Sequence, residues 1–143
     1  MNNDSIELLK KCNSGCKSGT NSMEQVMDFV SDDKLRKVIH EYNRKHIDIG
    51  DECHEMLNRE NLEEEDPPMI AKAMSWLGTE VKLAVNDSTS HIADILIDGC
   101  NMGIKSLYKE LNKQKNAKSE IRDMVMELVC IEQDFMNELL EFL

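Results

Sequence analysis

The stretch LRKVIHEYNRKHIDIGDECHEM, residues 35–56, decides the fold. Leu35, Tyr42, Ile49 and Met56 fall at every seventh position along it, and Ile39, His46 and Cys53 form a second row at the same interval. A sevenfold interval drifts only slightly around a helix axis, so each row faces one neighbour along the whole helix. Near the other end of the chain the pattern returns in Ile121, Leu128, Phe135 and Phe142, flanked by Val125, Glu132 and Leu139. Two long amphipathic helices of this kind predict an all-α bundle. His46 and Glu132 interrupt the apolar rows, and a bundle holds its chemistry where such polar residues point inward.

Working outward, a first helix is expected from near Asp4 or Ser5, either of which can cap it, to about Val30. Leu9, Cys16, Met23 and Val30 make its row, with Cys12, Gly19 and Val26 beside them. Its middle holds Asn13, Ser14, Gly15, Ser18, Gly19 and Thr20, all indifferent or poor helix formers. Small residues there make sense where another helix packs close. Ser31-Asp32-Asp33 forms a short turn and caps the second helix, which runs to about Arg59, so these two helices lie antiparallel. An acidic loop (Glu63-Glu64-Glu65-Asp66) ends in Pro67-Pro68, which can open a short helix over residues 68–85. A third long helix is expected over residues 89–113, with Ile92, Ile95, Gly99, Met102, Ser106 and Leu107 inward, and a fourth from Lys118-Ser119 to the C-terminus. The four long segments match at roughly 40 Å each, and the short one is long enough with its loops to return along the bundle. Helices two and three would then run parallel, with a single crossover between them.

At 143 residues the chain fits one domain, residues 1–143. Its 28 acidic against 17 basic residues give a net charge of -11, which argues against nucleic acid and against an anionic membrane surface. No apolar run approaches the roughly 20 residues of a membrane span. The start Met1-Asn2-Asn3-Asp4 lacks the positive flank and apolar stretch of a signal peptide, so a cytoplasmic location is expected. The five cysteines are odd in number and follow no disulfide or zinc-ribbon spacing, which makes them thiols that serve as small core residues.

Several segments carry a resemblance. Ile6-Glu7-Leu8-Leu9, Asn13-Ser14-Gly15 and Met23-Glu24-Gln25-Val26 are similar to the opening helix of a bacterial ferritin-like family of unknown function. Asp33-Lys34-Leu35-Arg36 fits that family's short turn. Ala71 through Lys82, Asn86-Asp87, and Gly99 with Tyr108 and Leu111 resemble its crossover helix, loop and third helix. The resemblance implies a ferritin-like four-helix bundle with a short crossover helix between helices two and three, and would suit a stress or developmental role. Ferritin-like iron proteins use a glutamate from each of two helices and a Glu-x-x-His pair from each of the others. Here Lys17 stands where the resemblance places the first glutamate, and the nearest relative of the pair is Asp51-x-x-His54. An iron oxidase or iron store is not expected, and no cofactor is assigned.

Two functional expectations follow, and no residue is assigned as catalytic. The leading one is a non-catalytic bundle that forms a homodimer or docks a helical protein partner. It rests on the last helix, where Met126, Val129, Met136, Leu140 and Leu143 make a second apolar face that must also be covered. The alternative is a metal-binding or redox bundle. Counted from the short loops, His46, Cys16, Cys100 and Glu132 fall within about two turns of mid-bundle, and imidazole, thiolate and carboxylate together suit zinc or iron. The simpler account has His46 hydrogen-bonded to Glu132 and the cysteines merely packed. Gly15-x-x-x-Gly19 and Gly99-x-x-x-Gly103 read as small-residue faces for close helix approach.

Overall fold

The computed structural model describes residues 1–62 and 88–143. Among them the chain forms four long helices, α1 (Asn3–Met27), α2 (Asp33–Arg59), α3 (Ser88–Lys113) and α4 (Ser119–Leu139), and α4 continues into a 3-10 turn, Leu140–Phe142. The described residues contain no strand. The short helix expected over residues 68–85 lies outside them.

Local chemistry sets the helix ends. Asn2, not Asp4 or Ser5, caps α1, its side-chain oxygen accepting from the Ser5 backbone N–H at 2.9 Å. The two expected caps are used elsewhere. The Asp4 carboxylate accepts from the Asn116 N–H at 2.9 Å, and the Ser5 hydroxyl accepts from the Lys118 N–H at 2.8 Å. They therefore satisfy the turn between α3 and α4 and tie it to the start of α1. That turn is fastened further by Arg122, whose guanidinium donates to the carbonyls of Leu111 and Gln114 at 3.2 and 3.0 Å. These are C-terminal carbonyls of the kind a helix leaves without partners. Helix α1 ends three residues before Val30, which is buried in the following turn.

As expected, Asp32 caps α2, accepting from the Leu35 N–H at 2.8 Å. Replacing Asp32 with Ala removes that bond, and the fold should lose about 1 kcal/mol in urea denaturation. At the far end Asn61 takes φ 55°, a left-handed conformation that Asn tolerates, and the Leu62 N–H returns to the Leu57 carbonyl at 3.0 Å.

These ties orient the bundle. The α3–α4 turn meets the N-terminus of α1, so α1 and α4 start at the same end. At the opposite end Lys34, opening α2, pairs with Glu141 beyond α4 at 3.0 Å. Thus α1 and α4 run one way, and α2 and α3 run the other. The parallel course of α2 and α3 is the arrangement expected from the helix lengths. Helix α1 packs on α2 and α3, α4 packs on the same two, and α1 and α4 touch across the diagonal.

The apolar rows are the core. Leu35, Ile39, Tyr42, Ile49, Cys53 and Met56 are buried, as are Ile121, Val125, Leu128, Phe135 and Leu139, while Phe142 is half-buried. Helix α3 departs from its expected phase. Its inward side chains are Ile92, Leu96, Cys100, Leu107 and Leu111, with Ile95 alongside, while Gly99 and Met102 are exposed. Apolar Ile95 and Met102 share a face in the sequence, and that coincidence shifts the apparent stripe by one residue. Cys100, outside the inward stripe expected for this helix, is therefore buried. Among the described residues, no helix is long and apolar enough to cross a membrane.

Candidate functional site

Two apolar clusters fill the bundle. One gathers Leu9, Cys16, Ile49, Cys53, Leu107 and Leu128 at the end where α1 begins. The other gathers Met23, Ile39, Tyr42, Cys100, Phe135 and Leu139 at the opposite end. Between them lies a polar layer built on His46 and Glu132, which are 1% and 9% exposed.

The imidazole is held at both nitrogens. Nδ1 lies 2.6 Å from the Tyr42 carbonyl oxygen, one turn earlier in α2, and Nε2 meets the Glu132 carboxylate on α4. A backbone carbonyl only accepts, so Nδ1–H must donate to it. Nε2 then faces a carboxylate, which favours a second N–H and so an imidazolium paired with a carboxylate. Burial works to lower the His46 pKa, but the bond and charge of Glu132, aided by the Tyr42 carbonyl, outweigh it and leave the pKa raised above 6.5. Tyr42 is itself fixed by stacking on Phe135, with ring centroids 4.8 Å apart and planes 11° off parallel.

The other two helices supply space. A β-carbon on Gly19 of α1 would stand 2.8 Å from His46 Cδ2, closer than packed atoms allow. A β-carbon on Gly103 of α3 would lie 3.4 Å from Glu132 Oε2. The layer thus draws one element from each helix: glycine, histidine, glycine and glutamate. Helix one's poor helix formers are explained in part here, since Gly19 lets the ring lie against the α1 backbone. In the sequence Gly19 shows as a small residue beside the first helix's apolar row, and Gly103 only as a member of its four-residue spacing. Their partners Gly15 and Gly99 behave differently: a β-carbon on Gly15 would make ordinary contact with Leu128 and Leu107, and one on Gly99 would meet open space.

Of the four candidate metal ligands, His46 and Glu132 meet directly. Cys100 stands beside Glu132, and burial, then the Glu132 charge, push its thiol well up. Cys16 falls on the other side of the polar layer, against Gly50 of α2 and beside Cys12. The register explains the separation: Cys16 belongs to the cluster at one end of the bundle and Cys100 to the cluster at the other. Among the described residues, no group of three His, Cys, Asp or Glu side chains is arranged to hold a metal ion. A recess of about 320 Å³ lined by Met27, Arg36, Lys37, His40 and Glu41 opens near the α1–α2 turn, and neither His46 nor Glu132 lines it.

The apolar face expected on the last helix divides. Met126, Leu140 and Leu143 are exposed, at 36%, 52% and 58%. Val129 is fully buried, and Met136 packs against the second core cluster. Val129 lies one position after Leu128, and both are drawn inward because α4 packs on α2 and α3 and also touches α1.

Compared with known proteins, the chain matches no family model, no curated sequence and no solved structure.

Proposed function

We propose that this chain is a non-catalytic, ferritin-like helical bundle that acts through self-association, with a second copy of itself as the partner. The observation that carries the reading is the exposure of Met126, Leu140 and Leu143 on and just beyond a helix whose inner side is already fully packed. Exposed methionine and leucine on one element favour association, because covering them removes apolar surface from water. The parallel course of α2 and α3 supports the ferritin-like connectivity. The mid-bundle region, where such proteins carry ligands for iron, is filled by a histidine and a glutamate that satisfy each other. A stress or developmental role suits the resemblance and is part of the proposal on that ground alone.

Sedimentation equilibrium tests it. The wild-type chain should sediment as a dimer at micromolar concentration, and Leu140→Glu with Leu143→Glu should give a folded monomer. A wild-type monomer would sink the reading.

A second reading, a zinc- or iron-binding or redox bundle, is favoured by one observation: Cys100 stands beside the His46–Glu132 pair. It requires the metal to displace the proton between His46 and Glu132. Elemental analysis of protein purified without chelator decides it. About one equivalent of zinc or iron, lost on His46→Ala, would support it, and metal-free protein would not.

A further inference from the structure

Sulfur is concentrated on one side of the polar layer. Cys12 and Cys16 lie one turn apart on α1, Cys53 faces them from α2, and Met124 approaches from α4. All four are buried, Cys12 and Cys53 completely. The antiparallel register of α1 and α2 brings them together. Gly50 sits against Cys16, so one turn further along α2 Cys53 arrives opposite Cys12, within hydrogen-bonding reach. The Cys53 thiol points at the Met124 thioether, with Sγ and Sδ 3.5 Å apart. None of these groups belongs to the His46–Glu132 layer.

This cluster has a definite coordination chemistry. Thiolate and thioether are soft donors and select soft ions such as copper(I). Metal–thiolate bonds of about 2.3 Å let a single ion touch two sulfurs 3.5 Å apart. Sulfurs this close subtend a bent angle at the ion, which suits three-coordinate copper(I) with Cys12 as the third sulfur, and copper(I) does not demand the four-ligand tetrahedral cage of structural zinc. Charge also favours a monovalent ion. The sulfurs belong to the same apolar cluster as Leu8, Leu57 and Val125, where an uncompensated charge is costly. A dication bound to one thiolate would leave a positive charge there, whereas a monocation leaves none.

We propose that Cys53 Sγ and Met124 Sδ, with Cys12 beside them, bind one copper(I) ion in place of the Cys53 thiol proton. The Cys53 S–H bond breaks, its proton leaves to solvent, and an S–Cu bond forms while Met124 donates a sulfur lone pair. Copper stays copper(I) throughout, and the site is neutral before and after. Entry requires α1 and α2 to part briefly, since neither thiol touches solvent.

The test loads the full chain anaerobically with copper(I) as its glutathione complex, then challenges it with bicinchoninate, a copper(I) chelator. About one copper per chain should be retained and should raise the melting temperature, because a ligand bound only by the native state stabilises it. Cys53→Ala and Met124→Leu should each weaken retention by at least about tenfold, while Cys130→Ser, at an exposed position, should leave it unchanged. Met124→Leu keeps volume and apolarity, so it tests the sulfur even where Cys53→Ala destabilises the bundle. Copper that does not outlast the chelator overturns the proposal. So does retention that depends on Cys130, or that survives Met124→Leu and Cys53→Ala undiminished.

Discussion

Glu132→Ala should cost the fold about 3–5 kcal/mol, the penalty for removing one partner of a buried ion pair and leaving the other uncompensated. A domain of ordinary stability, about 5–15 kcal/mol, loses a large part of it by such a change. His46 cannot relieve the loss by turning outward. Its Nδ1–H is bound to the Tyr42 carbonyl, and the ring lies against Gly19. Replacing both partners with leucine is a different experiment. It removes both charges and their desolvation together, so His46→Leu with Glu132→Leu should be near wild type or more stable. Urea denaturation of the single and double variants checks both statements, and a single variant as stable as the double would rule out a buried ion pair.

The same pair makes stability depend on pH. The folded pKa of His46 is raised above its ordinary value of 6.5. A group raised in the folded state binds its proton more tightly there than in the unfolded chain. Its contribution is fully present below about 6.5 and is lost as pH rises through the folded value. Above that value the bare Nε2 lone pair faces the Glu132 carboxylate, which is repulsive. The melting temperature should therefore fall from about pH 6 toward pH 9 by more in the wild type than in the double leucine variant. Equal slopes would show that the pair does not titrate in this window.

The bundle was legible because burial follows a sevenfold interval whatever the side chain's chemistry. That interval picked out His46 and Glu132 together with their apolar row-mates, and both are buried. The polar layer's composition was only half legible. Counting from the turns gives height along the bundle only to within about two turns, coarser than the step from the polar layer into either core cluster. Cys16 and Cys100 thus shared a level with His46 in the count, yet they pack into opposite clusters. On α3, Met102 reads as core by hydropathy and is 61% exposed, whereas Gly103, with no side chain to register, borders Glu132. The caps show the same limit. Asp4 and Ser5 have the chemistry of N-caps, but their partners are on a turn more than a hundred residues away, a pairing no local pattern encodes.

Gly19→Ala should destabilise the protein by about 1–2 kcal/mol, although alanine is the better helix former. In a solvent-facing helix the exchange would gain up to about 1 kcal/mol from propensity alone. Gly99 is such a position, exposed and with open space where a β-carbon would go, so Gly99→Ala should stabilise by that amount. At Gly19 the new methyl would stand 2.8 Å from His46 Cδ2 and 3.1 Å from Nε2. The imidazole is no flexible chain end, because hydrogen bonds hold it at both nitrogens. Separating the helices instead would open the neighbouring contact of Cys16 with Gly50, so close that a β-carbon on Gly50 would stand 3.3 Å from Cys16 Cβ. Overpacking of this kind costs about 1–3 kcal/mol, which exceeds the propensity gain. Coupling between the two residues supplies the control. With the ring removed by His46→Ala, Gly19→Ala should change sign and stabilise as Gly99→Ala does, a non-additivity readable from a double-mutant cycle. If Gly19→Ala stabilises the wild type as much as Gly99→Ala, then the histidine is free to move, and the layer between the two core clusters is looser than its hydrogen bonds imply.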